Sequence, residues 1–493
     1  MAADLPFGNA IAWAHIQLRG GWKNLAITTI GYILLVAVLI VFSLRMNPKH
    51  VTLMLSGWTS GLLWIQTGIL LLFGCGTVNT ALRTDLSSRM IESHRIMPVS
   101  PVGAVLGYLL GSASQVLCLA FATFLIGLVT NIGAGTPATL WIVPNVVLGS
   151  FALFVWMVVL FAGFTSKHGA RVLLILFVVA ITSRGIALTL CPALLVLTSP
   201  LLRDTVYERS LRVATLDWQY AVAMALQAAI GGILLIGASR KYRRDDAAAL
   251  PTTLSLLLLA TWVGTSVVGL MGWEQFAAGS FWRHTDVDSH TQFLSTLAVS
   301  ILLALFPLGA AAQAEEEWRR HGSWIGSGSA RRPMPAILAV ALAAGIVMGL
   351  LWVAPQSSTS QWETTVRAGM AVTMFLLSTG YVLRMVQRLS SKRIVVVGLW
   401  VVLSWIGPFV IDLIRHGAST DPDDEFLTVI STCSPLGTLI QLWDRRPVDT
   451  TVGLAVQMGL VVFTALLFYA TRRRETTTTA PGFPVVYPPA SNG

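Results

Sequence analysis

RTDLSSRMIESHRIMPVSPVGAVLGYLLG, Arg83 to Gly111, is the most polar stretch in the first third of the chain. Three arginines, a histidine and two carboxylates stand within it, and Pro98 and Pro101 close it before apolar residues resume. Apolar runs flank it, Leu55 to Thr77 before and Val102 to Val129 after. A run of about 20 apolar residues crosses a hydrocarbon core as a helix, so the stretch reads as a polar link between two spans. How often that pattern recurs decides the fold.

Composition points the same way. The chain has 493 residues, 55% of them hydrophobic and 11% charged, with positive mean hydropathy. That balance lies far outside the range of a soluble domain and predicts an integral membrane protein. The formal charge of +10 need not imply nucleic acid, because Lys and Arg of membrane proteins collect in cytoplasmic loops facing anionic lipid. Membrane lipid is an expected partner and nucleic acid is not. Cys75, Cys118, Cys191 and Cys433 are too dispersed for a disulfide framework or a zinc spacing. The first residues lack a basic region followed by a small-residue cleavage site, so no removable signal peptide is expected.

Twelve candidate spans follow. Six lie near Leu25–Leu44, Leu55–Thr77, Val102–Val129, Leu140–Phe164, Val172–Leu190 and Tyr220–Gly237; six more lie near Thr252–Met271, Thr291–Ala312, Ala336–Ala354, Thr365–Val386, Ile394–Ile414 and Val452–Ala470. With the N-terminus inside, the inner segments carry Arg19 and Lys23, Arg83, Arg89 and Arg95, Lys167 and Arg171, and Arg240 to Arg244. Later inner segments carry Arg319, Arg320, Arg331 and Arg332, then Arg384 to Arg393, then Arg472 to Arg474. The opposite side holds less than half as many, so both ends are expected in the cytoplasm and the chain in the cytoplasmic (inner) membrane.

The fold class expected is therefore an all-α polytopic membrane protein of about 12 helices in two divergent six-helix halves. The expected divisions are an interfacial segment 1–24, a first half 25–238 with the polar segment 83–98, a cytoplasmic linker 239–251, a second half 252–471 and a disordered tail 472–493. Duplication is suggested by span starts offset by roughly 220 to 240 residues and by LTSPLL at Leu197 and TCSPLGTL at Thr432, each before the last span of its half.

As one helix, Arg83 to Pro98 would align Leu82, Leu86, Met90 and Met97 on a stripe, with Arg83, Glu92 and Arg95 elsewhere. Such a helix lies on lipid or docks on a partner; alternatively it is a solvated loop. RMIESHRIMPVSPVGAVLGYLLG, Arg89 to Gly111, resembles the cytoplasmic segment of ABC type-2 permeases. There an acidic residue, a spacer, an apolar-Pro-apolar-Ser/Pro turn and a Gly-containing span start follow the second helix. The resemblance implies that Glu92 is the acidic position, Pro98 and Ser100 the turn, and Gly107 the glycine opening span three. It implies a coupling segment made of Arg83, Asp85, Arg89, Glu92, His94, Arg95 and Pro98 that contacts a separate cytoplasmic ABC ATPase, itself a dimer. Ser199 and Pro200 resemble the family's helix break before its last span, and Ala10 to Lys23, with Trp13 and Trp22, its elbow helix.

No G-x-x-x-x-G-K-[ST] occurs, so ATP and Mg²⁺ would bind the partner and this chain would carry no cofactor and no catalytic site. A transport subunit, working in export, is the expectation. Arg184, inside span five, is a candidate for the translocation path with Ser199 and Pro200, since a charge at membrane depth is expensive; snorkelling to the surface is the alternative. His284, Asp286, Asp288 and His290 alternate as a metal site in a strand would, but alternation does not set a tetrahedral geometry and no ligand is assigned. Asp412 with Arg415 reads as an interfacial pair, Asp421 to Glu425 as an external turn, and Trp141, Trp273, Trp282 and Trp362 as interface tryptophans. A secondary carrier, and a membrane-embedded glycosyltransferase or polymerase using Asp286 and Asp288, stay open as alternatives.

Overall fold

The computed structural model describes residues 9–46, 48–165, 217–244, 248–251, 253–262, 361–389, 399–418, 428–443 and 450–478, with a few isolated positions. Among these residues all regular structure is helical. Seven helices are long and apolar enough to cross a membrane: residues 21–46, 48–87, 114–133, 139–165, 221–243, 369–386 and 450–470. The chain is thus a multi-pass helical membrane protein. Arg184, Ser199, Pro200, the His284 to His290 group and Asp421 to Glu425 lie outside the described residues. The molecule divides into two compact units, Met1–Met334 with Trp352–Gln356, and Pro335–Leu351 with Ser357–Gly493.

The first unit starts with α1, Ala10–Leu18, capped by Asn9, whose Oδ1 accepts from the N–H groups of Ile11 and Ala12. Gly20 and Gly21, both at positive φ (93° and 67°), turn the chain sharply into α2, Gly21–Met46. Next come α3 (Pro48–Ser87), α4 (Met90–Ile96), α5 (Pro101–Ser112), α6 (Ser114–Gly133), α7 (Thr139–Thr165), α8 (Asp217–Arg243) and α9 (Thr253–Trp262).

Helix α7 is the hub, packing on α8, α3, α5 and α6. It works by fitting large side chains against glycines. Trp156 lies against Gly74 of α3, Trp141 against Gly127 of α6, Phe161 against Gly237 of α8, and Leu82 of α3 against Gly163. A Cβ at any of these glycines would collide with its partner. In lipid, where apolar association gains little from water, such close van der Waals contact is what holds helices together. Trp141 is accordingly a core residue, donating its indole N–H to the Phe124 carbonyl at 2.9 Å, and the interface position expected for it is corrected.

Helix α3 contains a π-type turn at Ile69–Phe73. There the Gly74 N–H goes to the carbonyls of Ile69 and Leu71, bypassing Leu70, and the Trp156 indole donates to Leu70 at 2.8 Å. Sequence and backbone irregularity therefore meet at one contact: glycine makes room for the indole, and the wider turn presents it an acceptor.

Two expected helices are broken. The span expected at Val102–Val129 divides at Ala113 (φ −94°, ψ 6°) into α5 and α6. Ser112 Oγ donates to the Tyr108 carbonyl one turn back, a bond that bends helices. The single helix expected over Arg83 to Pro98 breaks at Arg89, whose φ of 58° is left-handed. Ser87 and Ser88 both donate hydroxyl hydrogens to the Thr84 carbonyl and so terminate α3. Leu82 is consequently buried while Met90 and Met97 are exposed, and the four-residue stripe does not form.

The second unit comprises α10 (Gln361–Leu389), α11 (Gly407–Ala418) behind a π-type turn at Val402–Ile406, α12 (Val429–Thr432), α13 (Pro435–Trp443) and α14 (Thr450–Thr478). Helix α10 packs along α14, with Tyr381 and Arg384 against the Phe468 ring. Thr432 to Leu439, the TCSPLGTL motif, is a helix break: Ser434 Oγ accepts from the Gly437 N–H at 2.9 Å, with Pro435 at the first helical position. Ser100 and Pro101 start α5 by the same device, Ser100 Oγ accepting from Gly103 at 3.0 Å.

Asp412 keeps the expected ion pair with Arg415 but is itself fully buried. Its carboxylate accepts from the Thr428 N–H (2.9 Å), the Thr428 hydroxyl (2.5 Å) and the Ser431 N–H (2.9 Å), closing the start of α12, with Arg415 Nε at 3.6 Å. Gln457 of α14 donates to the Thr432 carbonyl and to Thr438 Oγ1, tying α14 to the same break.

Candidate functional site

The residues between α3 and α5 divide into an outward and an inward set. Arg89, Glu92, Ser93, Ile96, Met97 and Pro98 face out, Ile96 being 86% exposed. Arg83 is half-buried. Asp85, His94 and Arg95 turn inward, which limits the surface expected for a partner: of the seven residues assigned to that contact, Asp85 and His94 are spent within the chain. The left-handed turn at Arg89 produces this division, because it swings α4 across the end of α3 and lays Ile91 and His94 against the bundle.

The inward set is a polar cluster in an apolar surrounding. Asp85 at the end of α3 is 2% exposed, His15 of α1 and His94 of α4 are each 5%, and Tyr108 of α5 is 1%. The Tyr108 hydroxyl donates to Asp85 Oδ2 at 2.7 Å. Its oxygen, 2.8 Å from His94 Nδ1, must then accept from that nitrogen, which defines a chain His94 Nδ1–H to Tyr108 O–H to Asp85. His15 Nε2 comes to 3.6 Å from the same Oδ2, within ion-pair reach but beyond hydrogen-bond distance, and is a buried atom with no hydrogen-bond partner. A buried carboxylate needs such donors, since each unmet lone pair in a dry setting carries a desolvation cost.

Neighbouring contacts fasten the cluster to the rest of the unit. Arg95 Nε donates to the Tyr242 carbonyl at 2.5 Å at the end of α8, and its guanidinium lies over the Tyr242 ring. Phe164 of α7 meets both Tyr108 and Tyr242 edge-on. Asn9 Nδ2 donates to the Gly103 carbonyl at 2.5 Å. Gly107 and Gly111 of α5 let α1 approach so closely that a Cβ on Gly111 would be 2.5 Å from Ala12 Cα. Gly107, expected only as the opening of a span, is therefore part of the seat for α1.

Chemically the cluster can hold and relay a proton and can transmit displacement among α1, α3, α4 and α5. Among the described residues no group of three or more His, Cys, Asp and Glu is arranged to hold a metal ion. In the cluster the Tyr108 hydroxyl occupies the space between Asp85 and His94. His15 and Tyr108 were not singled out from sequence. The available signal was a lone histidine in a nine-residue apolar helix, the counterpart at the bilayer edge of the rule that ionisable groups in apolar segments find partners. No known family, curated protein or solved structure matches this chain.

Proposed function

We propose that this chain is the membrane-spanning subunit of an ABC-type transporter of the type-2 kind, working in export and driven by ATP hydrolysed on a separate ATPase. The observation that carries the reading is α4. This seven-residue helix, set between α3 and α5, exposes Met90, Glu92 and Ile96, with Met97 just beyond its end, on the side that an excess of basic residues would keep in the cytoplasm. Its inner face is bonded through His94 and Arg95 to α5 and α8. A push on its outer face is thus delivered to the short helix α5 and to the spanning helix α8, which is the requirement for coupling a motor to a translocation path. Twelve spans, two six-helix halves and cytoplasmic termini belong to the same reading. Capture of ATP with Mg²⁺ is the partner's task.

The test is to purify the chain from native membranes and measure vanadate-sensitive ATP hydrolysis in the purified material. Activity that co-purifies with the wild type and is lost with Ile96→Asp or Glu92→Lys, while thermal stability in detergent is retained, supports the reading. Substrate movement into vesicles containing the purified chain alone, driven by an ion gradient without ATP, overturns it in favour of a secondary carrier.

A further inference from the structure

The four-residue cluster contains one atom whose situation calls for explanation: His15 Nε2, buried, without a hydrogen bond and 3.6 Å from a carboxylate oxygen that already has a donor. Around the His15 ring stand Asp85 of α3, His94 of α4 and Tyr108 of α5, with its ring centroid at 5.0 Å, and Arg19 at the end of α1. Arg19 is itself directed to the Thr77 carbonyl of α3 at 3.3 Å. Helix α2, which also touches α1, brings Lys23, and that residue is exposed. The remaining cation beside the cluster, Arg95, is turned to the carbonyls of Lys241 and Tyr242.

We propose that His15 is a proton-operated latch: with a neutral imidazole, α1 sits on Gly107 and Gly111 and holds the Asp85–Tyr108–His94 chain together, and when the ring takes up a proton α1 leaves its seat. The seat is built for a neutral ring. Protonated His15 gains only one counter-charge, Asp85, which is already engaged by Tyr108, while His94 and Arg19 repel it and the apolar walls of α1 and α5 withhold water. Outside the seat the ring is hydrated and keeps its ordinary affinity for protons. Burial is the dominant influence on the seated ring and lowers its pKa from the usual 6.5, with Asp85 opposing and His94 and Arg19 reinforcing that shift. Leaving the seat therefore takes up a proton, and acid favours the unseated state by up to about tenfold for each pH unit between the two affinities. Loss of α1 would uncover Tyr108 and loosen the anchorage of α4.

Spin labels test this on the full chain in neutral phosphatidylcholine nanodiscs. Gln17→Cys and Ser88→Cys, both exposed, are labelled after replacement of Cys75, Cys118, Cys191 and Cys433, and their separation is measured at pH 7.5 and 5.0. The expected result is one narrow distance distribution at pH 7.5 and a second, longer component at pH 5.0. His15→Gln and His15→Asn should remove the pH response while keeping the narrow distribution, and His94→Gln should retain the response. Asp85→Asn, which deletes the counter-charge, should enlarge the displaced fraction at pH 5.0. An unchanged distribution in the wild type, or a response that persists in both His15 variants, overturns the proposal.

Discussion

At the scale of single residues, the fold depends on a few contacts in which a polar atom and a missing side chain cooperate. Trp156, Gly74 and Leu70 form one. Trp156→Phe keeps most of the ring but withdraws the indole donor from the Leu70 carbonyl, so a loss of about 1–3 kcal/mol is expected, the cost of a weakened buried acceptor. Gly74→Leu should be worse, because the added atoms meet the indole. Thermal denaturation of the purified protein in detergent checks the order: wild type, then Trp156→Phe, then Gly74→Leu. Asp412 forms another. Its two oxygens take three donors from Thr428 and Ser431, so Asp412→Ala should lower stability by about 2–4 kcal/mol and Asp412→Asn by less, since one acceptor oxygen survives. Hydrogen exchange confined to residues 428–443 would show where the loss falls. Neither contact was legible from sequence. Hydropathy marks Trp156 and Gly74 only as members of apolar runs, and Asp412 shows one charged neighbour, Arg415, at helical spacing, while its hydrogen-bond donors lie 16 and 19 residues away.

Elements were legible where apolar length alone decides. Six long helices coincide with expected spans because a long apolar run in lipid can pair its backbone groups only as a helix, even where Thr28, Ser43 and Asn145 also donate to backbone carbonyls within Gly21–Met46 and Thr139–Thr165. The reading failed at the two ends of the polar link, where Ser87, Ser88 and Ser112 bond to carbonyls of the preceding turn just before the backbone leaves helical geometry at Arg89 and Ala113. Those two breaks convert one expected coupling helix and one expected span into four elements. The docked α1 adds a consequence for pH. The folded chain disfavours protonated His15 relative to the unfolded chain, so its contribution to stability is complete above pH 6.5 and is lost as pH falls from there toward the lower folded value. Melting temperature should therefore fall on acidification below pH 6.5, and His15→Gln should flatten that part of the profile. Gly111→Leu, which blocks the seat, should speed exchange of the amides in Ala10–Leu18 at every pH.

At the scale of the whole molecule, charge distribution sets the orientation that the functional reading needs. At its α2 end α3 opens on the exposed turn Pro48–His50, whereas the link between α3 and α5 carries Arg89, Glu92 and Arg95. Because α3 is a single helix of 40 residues, the two emerge on opposite sides of the bilayer. The proposed orientation keeps the side richer in Arg and Lys inside, for translocation of a short cationic loop against the membrane potential is unfavourable. Lys49→Cys and Ser93→Cys should then behave as opposites in intact cells: a membrane-impermeant maleimide labels the first and reaches the second only after permeabilisation. Labelling of Ser93→Cys in sealed cells would place α4 on the outer surface, away from any nucleotide, and remove the physical basis for coupling to an ATPase whatever the substrate.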